Sequence, residues 1–507
     1  MLTSTTRRSL RALAAPALRS VSTSSIRPAA AAQAEKAVGD ISAVFSSLAG
    51  DAFVPLEQRF SDLKKSLWND GMIESWRSVL AALAERTEEI KEKGAATIPQ
   101  LDYKDIAAGK VSAAMVDEVK RVGTVVVHGA VPEQEALKWK SDLIDYIKLN
   151  EEHARGFPAE NTVVWELYNS KSQTRARTHP GILNTQRFLL SFFGTSDPTT
   201  PISVQPISYH DRLRIRPPGD VAMSLGPHID GGSLERWEDP EYRRAWRAIL
   251  AGGPEPHIRH DSWDLTPRLE ANQDYYNGAG QCSVLRMFQG WTALSNTAPG
   301  EGTLQVFPDL DLATAYVILR PFFRERRGRE GKLGFDDWEP AVDDTAFPGS
   351  VKGKGQEMNA QTHPHLRLND TMVSVPRVFP GSQVHVVLSS YPFLSLAYWH
   401  CDGIHAVESQ HHGSGDSSVL YIPAVPLTEA NARYLRTQRD RFEASRPAPD
   451  FPGGPGESLF KGVGEEKDIL TEEGRVALGY KPFEAGPNET EGGRRVIEAA
   501  NRILFSK

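Results

Sequence analysis

A series of short apolar segments between about residues 200 and 430, separated by turns rich in glycine and proline, limits the fold of this chain more than any other feature. The strand-like segments are RLRIRPP (212–218), SVLRMFQGWTALS (283–295), TLQVFPDL (303–310), YWHCDGIHAVE (398–408) and SSVLYIPAVPL (417–427). Many short strands joined by such turns predict an all-β barrel or sandwich at the centre of the protein.

Helical patterns surround and interrupt this strand-rich region. A helical and α/β lead-in covers about residues 55–200, and a helical, loop-rich appendage covers 431–507. Two further stretches, 234–280 and 311–375, do not match short strands, so we interpret them as insertions at strand ends. The prediction is a mainly β core with α additions and helical elements at both ends.

Two helices of the lead-in carry apolar faces that the spacing defines. In residues 75–94 apolar side chains recur at helical spacing, and a glycine ends the pattern. A second helix begins at Pro132, and its predicted buried face carries Leu137, Ile144 and Ile147.

The first 35 residues differ in composition from the remainder of the chain. They contain five arginines and many serines and alanines, with no acidic residue before Glu35. This composition is typical of a mitochondrial transit peptide, and a disordered basic tail is the alternative. We therefore expect a mitochondrial location, or otherwise a cytoplasmic one.

Charge and cysteine content exclude several classes of protein. The net charge is −7 and no long basic run occurs, so nothing indicates nucleic-acid binding. Only Cys282 and Cys401 are present, too few for a disulfide framework or a zinc–thiolate cluster. No apolar stretch is long enough to predict a membrane span. A small-molecule substrate is the expected partner, and the oligomeric state is not readable.

Inside the strand-rich region, GPHIDGG (226–232) contains a histidine and an aspartate two residues apart. Residues i and i+2 of a strand face the same side, so His228 and Asp230 would point into one interior. Together with a distant histidine, they match the facial triad of non-haem Fe(II) oxygenases, which leaves positions for a cosubstrate and dioxygen. The triplet alone is weak evidence, because about one such triplet is expected by chance in a chain of this composition.

The third ligand is expected on a strand late in the region, and YWHCDGIHAVE offers two histidines. His400 and His405 differ by five positions, so on one strand they face opposite sides. His400 and Asp402 form a rival H-x-D pair, but only loop histidines follow it. Position in the chain therefore favours His405 as the partner of the earlier triplet.

Seven segments, taken in order, resemble the DUF1479 family, which belongs with the Fe(II)/2-oxoglutarate oxygenases of the double-stranded β-helix (jelly-roll, cupin-like) fold. The segments are WELYNSKSQTRARTHP, YHDRLRIRPPGD, GPHIDGGSLERW, RMFQGWTAL, GEGTLQVFP, WHCDGIHAVE and SSVLYIP. The resemblance spans about residues 55–430. It implies His228, Asp230 and His405 as iron ligands and 2-oxoglutarate as cosubstrate. Because related halogenases lack the carboxylate, Asp230 favours hydroxylation or oxidation of an unidentified small molecule.

One departure from the family pattern concerns the cosubstrate. Oxygenases of the phytanoyl-CoA type usually carry an arginine on the strand after the distal histidine, but VESQHHGSGDSSVLYIP contains no Arg or Lys. A dicarboxylate in a dry interior needs a cationic partner. Arg286 and Arg214 (or Arg216) are candidates, with structural ion pairs as the alternative, and Ser418 and Tyr421 could add hydrogen bonds.

A second departure lies just before the late histidines. Removing residues 385–397 restores PGSQVYWHCDGIHAVE, so this stretch is either an insertion, such as a retained intron, or a genuine loop or strand extension. Two alternative functions also stay open. One is a cupin-like metalloenzyme that does not use 2-oxoglutarate, and the other is a catalytically inactive barrel that binds a ligand.

Overall fold

The computed structural model describes residues 36, 40–51, 54–221, 224–278, 280–378, 393–451 and 454–506. The predicted transit segment, residues 1–35, lies outside the described residues, as do residues 385–392 of the suspected insertion. Residues 393–397, the last part of that stretch, begin a long strand that pairs on both sides.

Most strands of the described chain belong to two sheets. The strands are β1 (Gln100–Asp102), β2 (Thr124–Pro132), β3 (Gly156–Phe157), β4 (Val164–Trp165), β5 (Ser203–Ile207), β6 (Leu213–Arg216), β7 (His228–Ile229), β8 (Phe288–Ala293), β9 (Leu304–Val306), β10 (Phe323–Glu325), β11 (Trp338–Pro340), β12 (Gln356–Glu357), β13 (Val373–Ser374), β14 (Phe393–His400), β15 (His405–Val407), β16 (Ser417–Tyr421) and β17 (Val425–Leu427). The larger sheet has the order β1-β2-β14-β8-β16-β6-β4-β3, and the smaller has β12-β7-β15-β9-β13.

Helices flank both sheets, and among the described residues none is long and apolar enough to cross a membrane. The α-helices are α1 (Ser46–Ala49), α2 (Arg59–Leu67), α3 (Gly71–Lys93), α4 (Tyr103–Ala107), α5 (Ala113–Val122), α6 (Glu133–Leu149), α7 (Lys171–Arg177), α8 (Pro180–Leu190), α9 (Glu235–Glu238), α10 (Pro240–Arg243), α11 (Arg247–Leu250), α12 (Pro256–Arg259), α13 (Leu310–Leu319), α14 (Leu368–Thr371), α15 (Glu429–Glu443), α16 (Glu472–Ala477) and α17 (Glu491–Phe505).

The two larger sheets pack face to face. Trp291 of β8 and Val419 of β16 share one buried cluster with Val306 of β9 and Val407 of β15. Within the described residues, no strand pairing joins the two sheets. The closed barrel expected from the sequence is therefore not observed, and inner-face side chains instead fill the space between two layers.

Helices contribute more to the core than the sequence suggested. The predicted helix over residues 75–94 is confirmed as α3, and its Trp76 stacks on Phe323 with ring centroids 4.6 Å apart. Helix α13 lies inside a stretch interpreted as an insertion, and all of its residues except Asp311 are buried. The architecture is thus one of mixed sheets and helices, with β structure dominant only around the inter-sheet space.

The predicted buried face of α6 is wrong in part. Leu137 is 40% exposed, whereas Ala136, Trp139 and Leu143 are buried. This helix has more apolar residues than one buried face can hold. The residues that are buried are those that pack in one cluster with β2 and its neighbours.

Strand β8 crosses its neighbours closely at Gly290. A Cβ atom at this position would lie 2.4 Å from the ring of Tyr398 and 2.5 Å from the carbonyl oxygen of Ile422. We expect Gly290→Ala to lower the free energy of unfolding by about 1–3 kcal/mol, the usual cost of overpacking, as measured by denaturant unfolding. Gly415→Ala is the control, because a Cβ there meets nothing within 4 Å. Equal stability of the two variants would contradict this close crossing.

Candidate metal centre and its cavity

Two histidines meet across the smaller sheet. His228 begins β7 and His405 begins β15, and their Cα atoms are direct partners in the antiparallel pairing. Side chains of such partners lie on the same face, and here the ring centroids are 4.0 Å apart. The ring of His405 also contacts Trp399 of β14, at 5.0 Å between centroids, so the pair faces the larger sheet.

Backbone carbonyl groups orient both imidazole rings. His228 Nδ1 donates to the carbonyl oxygen of Gly226 at 2.7 Å, and His405 Nδ1 donates to that of Gly403 at 3.0 Å. Because a carbonyl oxygen only accepts, the proton of each neutral ring is on Nδ1 and the lone pair is on Nε2. A hydrogen bond of this kind on the second ring nitrogen is typical of metal-binding histidines.

Asp230 completes the group, which we call the triad. Its Oδ1 lies 3.5 Å from His228 Nε2, and its Oδ2 lies 3.8 Å from His405 Nε2. The candidate ligand atoms all lie within 4.8 Å of one another, and Asp230 Oδ1 is buried without a hydrogen-bond partner. Gly231 and Gly232 follow with φ of 77° and 86°, a left-handed backbone that ends the strand. Two nitrogens and a carboxylate fit one divalent transition-metal ion.

The protonation states of the triad also suit a metal. Burial, assisted by the neighbouring His228, lowers the pKa of His405 to about 3. Burial raises the pKa of Asp230, but His405, His228 and Arg286 lower it, and the net result is a pKa below the ordinary value. At neutral pH the triad therefore holds a neutral His405 and an ionised carboxylate, the forms that bind a metal ion.

A cavity of about 90 Å³, which we call the triad cavity, adjoins these three side chains. Ile41, Val44 and Phe45 cover one side of it, and the ring of Phe45 contacts His228 edge-on at 4.8 Å between centroids. These residues were not predicted to line the site, because they lie between the predicted tail and the predicted helical lead-in and show no distinctive pattern. The cavity is large enough for several waters or a small organic molecule.

Two arginines line the triad cavity. Arg286, a predicted candidate, has Nη2 3.7 Å from Asp230 Oδ2 and Nη1 4.0 Å from Asp211 Oδ2. Arg212 was not predicted as a site residue, although period-two alternation places it on the same side of the chain as the predicted candidate Arg214. Arg212 lies 3.5 Å from Asp211 and 3.6 Å from Glu166, so two carboxylates already accompany its charge.

The other predicted cosubstrate residues occupy three different environments. Arg214 is fully buried beside a deeper cavity of about 10 Å³, with its guanidinium 4.4 Å from the ring centre of Trp291. Tyr421 lines the triad cavity. Ser418 is not among the described residues that line either cavity, and its hydroxyl donates to Asp416 at 2.8 Å. The structure thus brings Arg286 and Tyr421 to the triad and leaves Ser418 away from it.

The rival pair, His400 and Asp402, is held in a structural network. His400 Nδ1 accepts the backbone N–H of Asp402 at 3.1 Å, and its Nε2 donates to the carbonyl oxygen of Ser262 at 3.2 Å. Asp402 is paired with Arg268 at 2.6 Å, and both side chains are 3% exposed. Although His400, Cys401 and Asp402 lie close enough to surround an ion, His400 has no free lone pair for one.

The two H-x-D pairs predict opposite responses to the same substitution. Asp402→Asn leaves Arg268 buried without its charge partner, so we expect a loss of about 3–5 kcal/mol in unfolding free energy with metal binding retained. Asp230→Asn removes a ligand, so we expect Mn(II) affinity to fall at least about 100-fold with a smaller loss of stability. Thermal unfolding and calorimetric titration with Mn(II) measure both. Loss of metal binding in the Asp402 variant alone would reverse the assignment.

Comparison with known proteins places this architecture in a family. The family model described as Gig2-like matches residues 54–480. The uncharacterised protein YbiU of Escherichia coli K12 is 32% identical over 412 residues, which cover 78% of this chain and 89% of YbiU. The solved structure of GlcNAc Inducible Gene 2 (GIG2, DUF1479) from Candida albicans is 28% identical with a TM-score of 0.77, covering 90% of this chain and 96% of that one. The hypothetical protein JW0805 from Escherichia coli is 30% identical with a TM-score of 0.68, covering 85% and 99%. The chain belongs to the Gig2-like family.

Proposed function

We propose that this protein is a non-haem Fe(II)/2-oxoglutarate-dependent oxygenase that hydroxylates or oxidises a small molecule. The observation that carries the proposal is the triad of His228, Asp230 and His405, in which both Nε2 atoms and the carboxylate converge beside a cavity. Three protein ligands leave coordination positions for a cosubstrate and dioxygen, as in the two-histidine, one-carboxylate iron oxygenases.

The strand order supports a double-stranded β-helix as the fold of the catalytic core. Strands β6, β7, β8 and β9 alternate between the larger and the smaller sheet, and β13, β14, β15 and β16 alternate again. In such an arrangement the interior lies between two sheets of four central strands each. The triad lies on the inner face of the smaller sheet, as a metal ligand set in this fold requires.

Several residues in and around the triad cavity have a definite task in this proposal. His228, Asp230 and His405 would hold iron(II), which with 2-oxoglutarate and dioxygen would supply the oxidising chemistry, with the cosubstrate converted to succinate and carbon dioxide as the substrate is oxidised. The carbonyl groups of Gly226 and Gly403 keep the imidazoles in the metal-binding tautomer. Phe45 and the neighbouring apolar side chains limit access of water to the site.

Arg214 is the residue we assign to the distal carboxylate of 2-oxoglutarate. The strand after the distal histidine, β16, lacks an arginine, but Val419 of β16 is the direct partner of Arg214 on β6, and both line the deeper cavity. Arg214 is fully buried, and no carboxylate of the described residues lies within 4.0 Å of it. Its Nε and Nη1 have no hydrogen-bond partner. A buried cation without an ionic partner is costly, so an anionic ligand is its natural complement.

The metal assignment is tested by anaerobic titration with Fe(II) and 2-oxoglutarate. We expect a chelate absorption band near about 500 nm for the wild type and for His412→Ala, a control on an exposed loop. His405→Ala removes a ligand and should give no band, with Fe(II) affinity reduced at least about 100-fold.

The same titration separates the alternatives. Metal binding at the triad without the band, and without succinate release, indicates a metalloenzyme that does not use 2-oxoglutarate. Absence of metal binding in the wild type indicates a catalytically inactive binding protein. Equal metal binding by the wild type and by His405→Ala contradicts the triad.

The role of Arg214 predicts an unusual combination of effects. Arg214→Met removes a buried cation that has no ionic partner, so we expect equal or higher thermal stability and a 2-oxoglutarate affinity at least about tenfold lower. Arg216→Met is the matched control on the same strand. Arg216 is paired with Asp220 at 2.8 Å and with the carbonyl oxygen of Glu408 at 2.6 Å, so its loss should lower stability. Unchanged 2-oxoglutarate affinity in Arg214→Met would exclude it as the anchor.

A further inference from the structure

Arg286 carries hydrogen-bonding capacity that the protein does not use. Its side chain is 14% exposed, yet none of its N–H groups has a hydrogen-bond acceptor among the described residues. Its ion-pair distances, 3.7 Å to Asp230 and 4.0 Å to Asp211, are long. By contrast, Arg268 donates to Asp402 at 2.6 Å. A guanidinium held this loosely in a cavity has its donors available for a ligand.

Metal binding would leave Arg286 still less compensated. Asp230, the nearer of its two carboxylates, is a member of the triad and would share its charge with the ion. Asp211, the other, also accompanies Arg212, whose Nε lies 3.5 Å away. An anionic group on a ligand is therefore the complement that this guanidinium lacks.

The position of Arg286 separates it from the anchor of the cosubstrate. Its guanidinium borders Asp230, next to the metal position, whereas the distal carboxylate of a chelated 2-oxoglutarate lies two methylene groups beyond the keto carbon. Arg214 faces the deeper cavity behind Trp291 and suits that distal group. Arg286 is therefore available to bind a second anion, one that reaches the metal position from the triad cavity.

The cavities around Arg286 limit the size of the group that can bind there. Arg286 and Asp230 also line a side cavity of about 20 Å³, which Arg268 and Gln273 line as well. A space of this size holds about one water-sized group. The triad cavity is also lined by apolar side chains, those of Ile41, Val44, Phe45, Leu225 and Phe451.

We propose that the substrate is a small carboxylic acid with an apolar body, whose carboxylate binds Arg286 and whose body packs against the wall formed by the N-terminal segment. Oxidation of this acid rests on the proposed function, whereas its binding to Arg286 does not. The planar fork of an arginine matches a carboxylate through two parallel N–H···O bonds. The carbons next to the carboxylate then lie beside the triad.

The experiment uses the full chain loaded with Mn(II), with and without 2-oxoglutarate, and a series of fluorinated alkanoic and arylalkanoic acids with their uncharged amides. Broadening of the fluorine NMR signals by Mn(II) reports probes that bind near the metal without any turnover. We expect acids of the series to be broadened and their amides not. Arg286→Gln should weaken acid binding at least about tenfold and leave 2-oxoglutarate affinity within about twofold. Arg377→Gln, at a 46% exposed side chain, is the matched control and should behave as the wild type.

Several results of the NMR titration would overturn the proposal. Equal binding of acids and amides, binding of no acid in the series, or unchanged acid binding by Arg286→Gln overturns the proposal. Loss of 2-oxoglutarate binding in Arg286→Gln also overturns it, because Arg286 then serves the cosubstrate. If the wild type does not bind 2-oxoglutarate but still selects acids through Arg286, the oxygenase function fails and the acid-binding inference stands.

Discussion

The register of β7 against β15 is the constraint on which the remainder of the site depends. A shift of one residue would turn His405 to the other face of the sheet and separate it from His228. The flanking pairs prevent this shift, since β12 pairs with β7 and β9 pairs with β15, where Val306 lies opposite His405. The Nδ1 hydrogen bonds then fix the rings, and the larger sheet supplies the facing wall. Most other elements, including α3 and α13, bury the outside of this arrangement.

Arginines in and around the inter-sheet space differ in how closely carboxylates accompany their buried charges. Arg216 and Arg268 have close carboxylate partners, at 2.8 and 2.6 Å, and belong to the framework. Arg214 has no ion pair among the described residues, and Arg286 has only two long ones. Because an uncompensated buried charge is expensive, positions that keep one are more readily explained by a ligand than by stability. Under the proposed function, Arg214 of the neighbouring strand β6 replaces the arginine that β16 lacks.

The candidate site was largely predictable from the sequence, but its walls were not. Period-two alternation placed His228 and Asp230 on one face, and chain order selected His405, because both rules concern local geometry and strand succession. His400 is excluded as a metal ligand partly because its Nε2 donates to the carbonyl oxygen of Ser262, a distant residue that no local pattern brings into contact with it. Phe45 reaches the cavity from a segment whose sequence has no distinctive periodicity. The prediction of a closed barrel was wrong for a similar reason, because strand patterns in a sequence do not show whether two sheets join at their edges.

The proposed function requires the triad to bind a metal ion that presents a cosubstrate to the inter-sheet space. Anomalous X-ray diffraction from crystals grown with Mn(II) and 2-oxoglutarate would locate both groups. We expect one metal bound by Nε2 of His228, Nε2 of His405 and the carboxylate of Asp230, with the distal carboxylate of 2-oxoglutarate on Arg214. A metal bound at His400 and Asp402, or a cosubstrate that does not contact the triad metal, would rule out this function.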